Sequence, residues 1–507
     1  MGINKRKLLS EGVTSFFSIP RFGDAGKIDL SRGWFSKCQW YDILTQIVNS
    51  QHQIEELNLA EAQLNDVELE LFGEAISKPR RVNVSRVQAR NLDWETVFRR
   101  LEKSDTLRQV DLSGNYLALI PSDLFVTTLA KLEEVELKDA LITNEQLRAL
   151  ISRSKDTETK LSVHIICENL HQAPVQLQSA FLNLHKVYLA LEDYTHLTGP
   201  RWTEVVRSVE RSRVLREVSL EGVGLDMSGV DPLLLSSLSR LARLRLSGVQ
   251  LSPDQWSHLL SRLSSSHLGL RMVNMTSVSA SLLAVSLARL SSLSLEYAAL
   301  TQTQLEALLS TSSLSTSLSV LKISNINLST IPAQSLASLA LSSTHLDLSH
   351  TALSPHQLET LLSTTKRSSV LRELVLQGLD LSSLEDSVIA KAGVKLVRLS
   401  VKKTKLTTKQ TTALFIANLG RSKLKVLDLS NVNLSGVDPD VLALSLTRLR
   451  EVSLLATWLT KEQTVGLVNQ VVKFTKLEYL QIQSATASLI NQDMKHSLMK
   501  NLKLVIF

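Results

Sequence analysis

The sequence predicts an α/β solenoid in which short parallel β-strands alternate with helices along the chain. Three observations predict it. An LxxLxLxxxxL pattern recurs from Leu107 to Leu449, the spacing between regular copies alternates between 28 and 25 residues, and the composition is uniform, with only 10 prolines and 5% aromatic residues among 507 residues. A fixed period of this size is typical of stacked structural repeats rather than of separate globular domains.

Each copy of the pattern is predicted to form one strand. Leu374 and Leu376 point to one side, because alternate residues of a strand face the same way, whereas Glu373 and Val375 point to the other. Regular copies begin at 54, 79, 107 and 132, and again at 290, 318, 343, 371, 396, 424, 449, 477 and 502, with irregular spacing over 160–290. We therefore expect one domain over residues 25–507 with about 19 stacked strands, and a flexible arm over residues 1–24.

The longer repeats contain a helix-start signal after the strand. A hydroxyl residue precedes a glutamine in the spacing of a capping box, in which each side chain bonds to the other residue's backbone. These pairs are Ser252–Gln255, Thr301–Gln304, Ser354–Gln357, Thr407–Gln410 and Thr460–Gln463. The shorter repeats have an early proline, as at Pro121 and Pro332, which predicts a brief helix or 3₁₀ segment. Narrow strands on one side and wider helices on the other are expected to curve the stack.

The repeat resembles that of the leucine-rich-repeat family over nearly the whole chain, and the long helical repeats resemble its ribonuclease-inhibitor-like intracellular subclass. The resemblance implies a horseshoe with strands on the concave face, helices on the convex face and a protein bound on the concave side. The family asparagine appears at Asn115 but seldom elsewhere. The last regular repeats instead alternate threonine with apolar residues at this position: Thr351, Thr404 and Thr457 with Ile326, Leu379 and Val432. A threonine hydroxyl can still satisfy a neighbouring backbone group, whereas the apolar residues can only pack.

Composition and motifs restrict the function classes. The net charge of +7 is too small to indicate a nucleic-acid partner by itself, and two cysteines, Cys38 and Cys167, are typical of a reducing compartment, which predicts a cytoplasmic or nuclear location. No apolar run approaches the roughly 18 residues that span a bilayer. Without a nucleotide-binding motif or a CxxC pair, we expect no enzyme, cofactor or metal site. Four Asn-x-Ser/Thr sequences, beginning at Asn83, Asn274, Asn327 and Asn433, are interpreted as loop residues.

Ten residues on or beside predicted strands are candidates for contact with a protein partner. They are Tyr188, Tyr297, His345, Asp347, His350, Arg398, Lys402, Lys403, Trp458 and Tyr479. His345, Asp347 and His350 are metal-ligand types, although exposed polar residues are the simpler interpretation. The aromatic residues are either interface anchors or partly buried packing residues.

Charge is clustered along the sequence. Arg398, Lys402 and Lys403 belong to a basic run over residues 391–409, which is either a solvated surface or a contact for an acidic protein or phosphate. An acidic band (Glu133, Glu134, Glu136 and Asp139) follows an earlier basic one (Arg80, Arg81 and Arg86). Bands of opposite sign suit a charged protein partner better than a uniformly anionic nucleic acid.

Three functional hypotheses follow. The first is an intracellular protein-binding scaffold or adaptor that uses the concave strand face. The second is a GTPase-activating or other GTPase-regulatory protein, which needs an exposed arginine near the phosphates. The third is the recognition part of a larger sensor assembly. The apolar final segment, residues 502–507, would form an exposed sheet edge. Either Phe507 docks against the neighbouring strand, or another molecule covers this edge; a second copy of the chain in that place would make the protein a homodimer.

Overall fold

A computed structural model describes residues 2–3, 26–31, 37–64, 67–88, 92–154, 160–167, 185–191, 199–315, 317–420, 422–473, 476–482, 494 and 504–506. The chain divides into two compact units, Met1–Leu241 and Ala242–Phe507. The predictions of a single domain, of about 19 repeats and of a flexible arm over residues 1–24 stay predictions.

The first unit is built from parallel strands that pair in chain order. Its strands are β1 (Gly2–Ile3), β2 (Lys27–Asp29), β3 (Glu56–Asn58), β4 (Arg81–Asn83), β5 (Gln109–Asp111), β6 (Glu134–Leu137), β7 (Lys160–Cys167), β8 (Lys186–Leu191) and β9 (Glu217–Asp226). Its helices are α1 (Lys37–Val48), α2 (Leu69–Ser77), α3 (Trp94–Leu101), α4 (Ser122–Leu129), α5 (Asn144–Ser154), α6 (Gly199–Arg211), α7 (Pro232–Leu235) and the 3₁₀ helix η1 (Ser236–Arg240).

The second unit repeats the same alternation. Its strands are β10 (Arg243–Gln250), β11 (His267–Arg271), β12 (Ser292–Glu296), β13 (Val320–Ser324), β14 (His345–Asp347), β15 (Glu373–Val375), β16 (Arg398–Ser400), β17 (Val426–Asp428), β18 (Glu451–Leu454), β19 (Tyr479–Ile482) and β20 (Leu504–Ile506), again parallel and in chain order. Its helices are α8 (Pro253–Ser261), α9 (Ala280–Leu287), α10 (Gln302–Leu314), α11 (Ala333–Ser342), α12 (Pro355–Thr365), α13 (Asp386–Gly393), α14 (Thr408–Leu419), α15 (Pro439–Leu446) and α16 (Lys461–Lys473).

The leucines of the repeat form the core. In β15, Leu374 is fully buried between Glu373 and Val375, which are half-buried, and Leu376 is buried just after the strand. The register places Glu373, Arg398 and Val426 side by side as the first residues of adjacent strands. We number residues from this first position, so that positions two and four face the core. Positions one, three and five form what we call the strand face.

The capping boxes predicted in the long repeats are confirmed. In α14 the Thr407 hydroxyl accepts a hydrogen bond from the Gln410 amide at 3.2 Å, and the Gln410 side chain accepts one from the Thr407 amide at 2.8 Å. The same reciprocal bonds form at Thr143 and Gln146, ahead of α5, a pair that the sequence analysis did not single out although its spacing is identical.

Five of the capping-box glutamines also connect their repeat to the preceding one. The buried side-chain amide of Gln410 donates to the carbonyl oxygens of Leu381, at 2.8 Å, and Leu384, at 2.7 Å. Equivalent bonds are made by Gln146, Gln304, Gln357 and Gln463. Because the acceptors lie in the turn before a short-repeat helix, one side chain holds each short repeat to the long repeat that follows.

The short repeats form brief helices, as predicted. Helices α4, α9, α13 and α15 have 8 residues each, and α11 has 10. Asp438 caps α15 by accepting from the amides of Asp440 and Val441, and Pro439 occupies the first turn, where a missing N–H costs nothing. Each short helix packs against the helix of the next long repeat.

The interpretation of the asparagine position is also confirmed. The buried Asn115 side chain donates to the carbonyls of Val84 and Leu112, at 2.9 and 2.8 Å. The hydroxyls of Thr404 and Thr457 donate to backbone carbonyls of the preceding repeat. Ile326, Leu379 and Val432 are buried and pack instead. Within each unit, parallel strands backed by helices in this register form a leucine-rich-repeat solenoid.

No helix in the described part of the chain combines the length and apolar character needed to cross a bilayer.

Candidate functional site

The candidate site is the strand face of the second unit from β14 to β19. Position one carries, in spatial order, His345, Glu373, Arg398, Val426, Glu451 and Tyr479. These side chains point away from the leucine core, so the fold leaves their identity free. A parallel sheet spaces neighbouring members of the row about 4.8 Å apart, which is within reach of long charged side chains.

The side chains of this row form a chain of polar contacts, in which the His345 contact is an ion pair only when the imidazole is protonated. The His345 Nδ1 lies 2.7 Å from Oε2 of Glu373, and Arg398 Nε lies 3.6 Å from the other oxygen of Glu373. The Arg398 guanidinium also approaches Glu451 at 3.9 Å. Two predicted contact residues, His345 and Arg398, therefore share one acidic partner that the sequence analysis did not include. Exposed pairs of this kind stabilise a fold by less than about 1 kcal/mol each.

The three metal-ligand types in this region do not converge. One oxygen of Asp347 accepts hydrogen bonds from the amide and hydroxyl of Ser349, at 2.9 and 2.5 Å, and His350 Nε2 lies 3.1 Å from the side-chain nitrogen of Gln377. Among the described residues, no group of three or more His, Cys, Asp and Glu side chains is arranged to hold a metal ion.

The basic run is partly neutralised by acids of neighbouring repeats. Arg398 contacts Glu373 and Glu451, and Lys405 pairs with Asp380 at 3.2 Å. Lys402 at position five is half-buried, Lys403 at position six is exposed, and neither has a carboxylate partner in the described part of the chain. We call Lys402 and Lys403 the lysine pair. On the strand side of the predicted basic surface, these two residues have a charge that no described carboxylate compensates.

Two of the predicted aromatic contacts are strongly exposed. The exposed fraction is 65% for Trp458 and 53% for Tyr297. Trp458 lies at position eight and forms an isolated parallel bridge with Asn433. Tyr479 is half-buried at position one of β19. The backbone of Tyr188 pairs with His164 and Ser219, and its side chain lies outside what the structure describes.

Position six adopts a left-handed backbone in successive repeats, a feature that the sequence analysis missed. It holds Tyr297, His350 and Lys403, with φ of 50°, 56° and 54°. Gly378 and Asn431 occupy the same position with φ of 77° and 61°, and glycine and asparagine are the residues that most readily adopt it. Their recurrence at this position was the available signal. This backbone turns the chain at the end of the strand and presents the side chain at position six to solvent at Tyr297, His350 and Lys403.

Among the described residues, an ion pair between Arg86 and Asp139 joins the two oppositely charged bands predicted in the first unit. Arg86 passes over Gly114, where a Cβ would lie 2.4 Å from its side chain, and reaches Asp139 at 3.1 Å. Lys186 meets Glu136 at 2.8 Å. The charge of the two bands is therefore compensated in part, by residues that lie 50 or more positions away in sequence.

Hydrogen bonding shifts two pKa values at the margin of the site. The pKa of Asp380 lies below its ordinary value of 3.8, because the Ser382 side chain and amide donate to the carboxylate and Lys405 lies nearby. The pKa of Arg450 is raised, because its guanidinium donates to Glu478 at 3.0 Å. Both effects keep these groups charged.

Comparison with known proteins adds little beyond the repeat itself. No protein-family model matches the chain, and no curated protein matches it. Among solved structures it is similar to a chain in the crystal structure of a TLR13–ssRNA13 complex, at 16% identity and a TM-score of 0.34, over 92% of this chain and 69% of that chain. A likeness this weak supports no conclusion about function. The class defined by the described strands and helices is a leucine-rich-repeat solenoid protein.

Proposed function

We propose that this protein is a non-enzymatic binding scaffold whose strand face, together with the turns that follow the strands, contacts an acidic segment of a partner protein. The observation that carries the proposal is the lysine pair, two cations without a carboxylate partner among the described residues, on a surface where Arg398 and Lys405 are compensated. An acidic segment would supply the missing partners, and charge complementarity of this kind guides association and register.

Trp458 supports the same surface. It lies at position eight of β18, two strands from Lys403 at position six of β16, which corresponds to about 10 Å of sheet. An exposed tryptophan next to uncompensated cations fits a partner segment that combines an apolar or aromatic anchor with carboxylates. Tryptophan is among the residues whose truncation most often costs binding energy.

The GTPase-regulator hypothesis finds less support. Its essential group is an arginine free to contact transferring phosphate. Arg398, the arginine of the predicted site, lies between two carboxylates. The location in cytoplasm or nucleus and the role within a larger sensor assembly stay predictions.

The test removes the lysine pair without straining the fold. The double variant Lys402→Ser with Lys403→Asn takes the residues that Ser430 and Asn431 provide at the same positions of the next repeat. Proteins captured by the wild-type chain and by this variant are quantified by mass spectrometry. Direct binding of each specific candidate is then measured with purified protein at two salt concentrations. We expect affinity to fall about tenfold or more, and the salt dependence to become shallower.

A matched control removes the same number of positive charges from a different surface. Lys423 and Lys476 are exposed in the turns that precede β17 and β19, at the opposite ends of the strands from the lysine pair. Lys423→Ser with Lys476→Asn should bind like the wild type, whereas Trp458→Ala should bind less. Equal capture by the wild type and by both strand-face variants would contradict the proposal.

A further inference from the structure

The first unit carries an exposed apolar cluster on the edge of the sheet just after β5 and β6. It consists of Tyr116, Leu119 and Leu141, whose exposed fractions are 55%, 79% and 52%. Tyr116 and Leu141 are both at position eight and form an isolated parallel bridge, so that their Cα atoms lie about 4.8 Å apart. We call these three residues the apolar edge.

Other repeats show what this position ordinarily holds. At position eight of the short repeats in the second unit stand Asn274, Asn327, Asp380 and Asn433, whereas the short repeat of β3 has Gln63. Each of the Asx residues accepts a hydrogen bond from the amide two residues later, at 3.0 to 3.1 Å. Three residues further on, where Leu119 stands, the short repeats of the second unit have Ser277, Thr330, Ser383 and Gly436. The long repeats that follow carry Ala299, Ala352 and Lys405 in place of Leu141, with Trp458 as the large residue.

The apolar edge therefore has large apolar residues where the repeats of the second unit mostly have polar or small ones, and the fold does not require this change. Tyr116 gives up the local side-chain hydrogen bond that its equivalents in the second unit make, and Leu119 is exposed where polar or small residues serve there. Large apolar side chains grouped on a surface are typical of a docking site. Since the short repeats of the second unit fold with Asx residues at position eight, the repeat itself does not require Tyr116 there.

Charge around the apolar edge indicates what binds there. Asp123 and Glu145 lie four residues after Leu119 and Leu141, in the first turns of α4 and α5, and both are exposed. Neither has an ion-pair partner in the described part of the chain. Arg148, the next basic residue along α5, does not pair with Glu145. Arg86, the basic side chain that passes over Gly114, is neutralised by Asp139. The uncompensated charge in the first turns of α4 and α5, beside the apolar edge, is negative.

We infer that the apolar edge binds a protein segment with a bulky apolar side chain flanked by lysine or arginine. Asp123 and Glu145 would pair with its basic residues. This surface lies on other strands than the lysine pair and selects the opposite charge, so the inference does not depend on the proposed function.

The test restores the repeat's own residues at the apolar edge. The triple variant Tyr116→Asn, Leu119→Ser and Leu141→Ala copies Asn433, Ser383 and Ala352, and its asparagine is placed to accept from the Ala118 amide. A random peptide library displayed on phage is selected on the full-length wild-type chain and counter-selected on the variant. Synthetic peptides of the enriched sequences are then measured by fluorescence anisotropy. We expect apolar-basic sequences, with affinity at least about tenfold weaker for the variant and a melting temperature no lower than that of the wild type.

A control removes exposed leucines elsewhere. Leu341→Ser with Leu444→Ser alters exposed helix residues of the second unit and should leave peptide affinity unchanged. Enrichment of acidic peptides, or equal binding by the triple variant, would overturn the inference. A lower melting temperature of the triple variant would also overturn it, because it would show that the apolar edge belongs to the core. So would a wild-type dimer, detected by light scattering, that the triple variant does not form. The last would show that a second copy of the chain occupies the surface.

Discussion

At the scale of single residues, the buried glutamines are the clearest link between sequence and stability. Gln410 uses its carbonyl oxygen for the cap of its own helix and its amide hydrogens for two carbonyls of the preceding repeat. All of these bonds lie in or next to the core, where an unsatisfied polar group costs more than an exposed one. The residue therefore contributes to one helix and to the contact between two repeats.

Replacing Gln410 with alanine should destabilise the second unit. Two buried carbonyls and one backbone amide would lose their partners, which corresponds to about 2–4 kcal/mol in the free energy of unfolding. Urea denaturation followed by circular dichroism measures the loss. Gln377→Ala is the matched control, because Gln377 is only half-buried on the strand face and should change stability by less than about 0.5 kcal/mol. A similar loss in both variants would contradict this role for Gln410.

The lowered pKa of Asp380 predicts how the free energy of unfolding depends on pH. Its pKa is lowered in the folded chain, first by the Ser382 hydroxyl, then by the Ser382 amide and by Lys405. The ionised carboxylate therefore stabilises the fold above the ordinary value of 3.8, and this contribution is lost as the pH falls through the lower folded value. Asp380→Asn, which keeps the Asx turn, should lose only a few tenths of a kcal/mol near pH 7 because the site is exposed.

The difference in unfolding free energy between wild type and Asp380→Asn should be larger at pH 7 than at pH 3. Denaturation curves at the two pH values measure it, and Asn433, which makes the same turn without a charge, shows that asparagine is accepted at this position. A difference that grows toward acid pH would have the wrong sign for a lowered pKa.

At the scale of elements, helix starts could be predicted and strand ends could not. Ser or Thr followed by Gln is a local signal, so the caps of α8, α10, α12, α14 and α16 were readable from the sequence. The left-handed residue at position six was hidden because Tyr297, His350 and Lys403 do not favour that backbone themselves. The repeat imposes it on them through hydrogen bonds with the next strand, such as the Lys403 amide to the Ser430 carbonyl at 2.8 Å.

Removal of one cap hydroxyl should cost about 1 kcal/mol. In Thr407→Ala the Gln410 amide loses its acceptor at 3.2 Å, and the first turn of α14 is weakened. Thr407→Ser keeps the hydroxyl and is the control. Unfolding free energies from urea denaturation would distinguish them, and an alanine variant as stable as the serine variant would contradict the assignment of the cap.

The positions of the candidate contact residues could be predicted from the sequence, but their ion-pair partners could not. The repeat register correctly assigned His345, Asp347 and Arg398 to the strand face. The ion pairs of Arg398 and Lys405 were not predictable, because Glu373, Glu451 and Asp380 lie 25 or more residues away in sequence and become neighbours only when repeats stack. The basic run therefore looked more uniform in sequence than it is on the surface.

At the scale of the molecule, each unit separates stability from recognition. The leucines, the buried glutamines and the caps fix the repeat, while positions one, three and five vary without cost to the core. The lysine pair, at positions five and six, and the apolar edge, at position eight and beyond, lie at the ends of the strands, where residues also vary between repeats. Their opposite charge preferences predict two different binding segments.

The most direct test of recognition by the strand face is hydrogen–deuterium exchange of the full chain with and without a partner that the lysine-pair variant fails to capture. We expect slower exchange in peptides covering residues 401–406 and 455–459 when the partner is bound, with little change in α14 and α16. Protection concentrated in those helices, with none after β16 and β18, would contradict it.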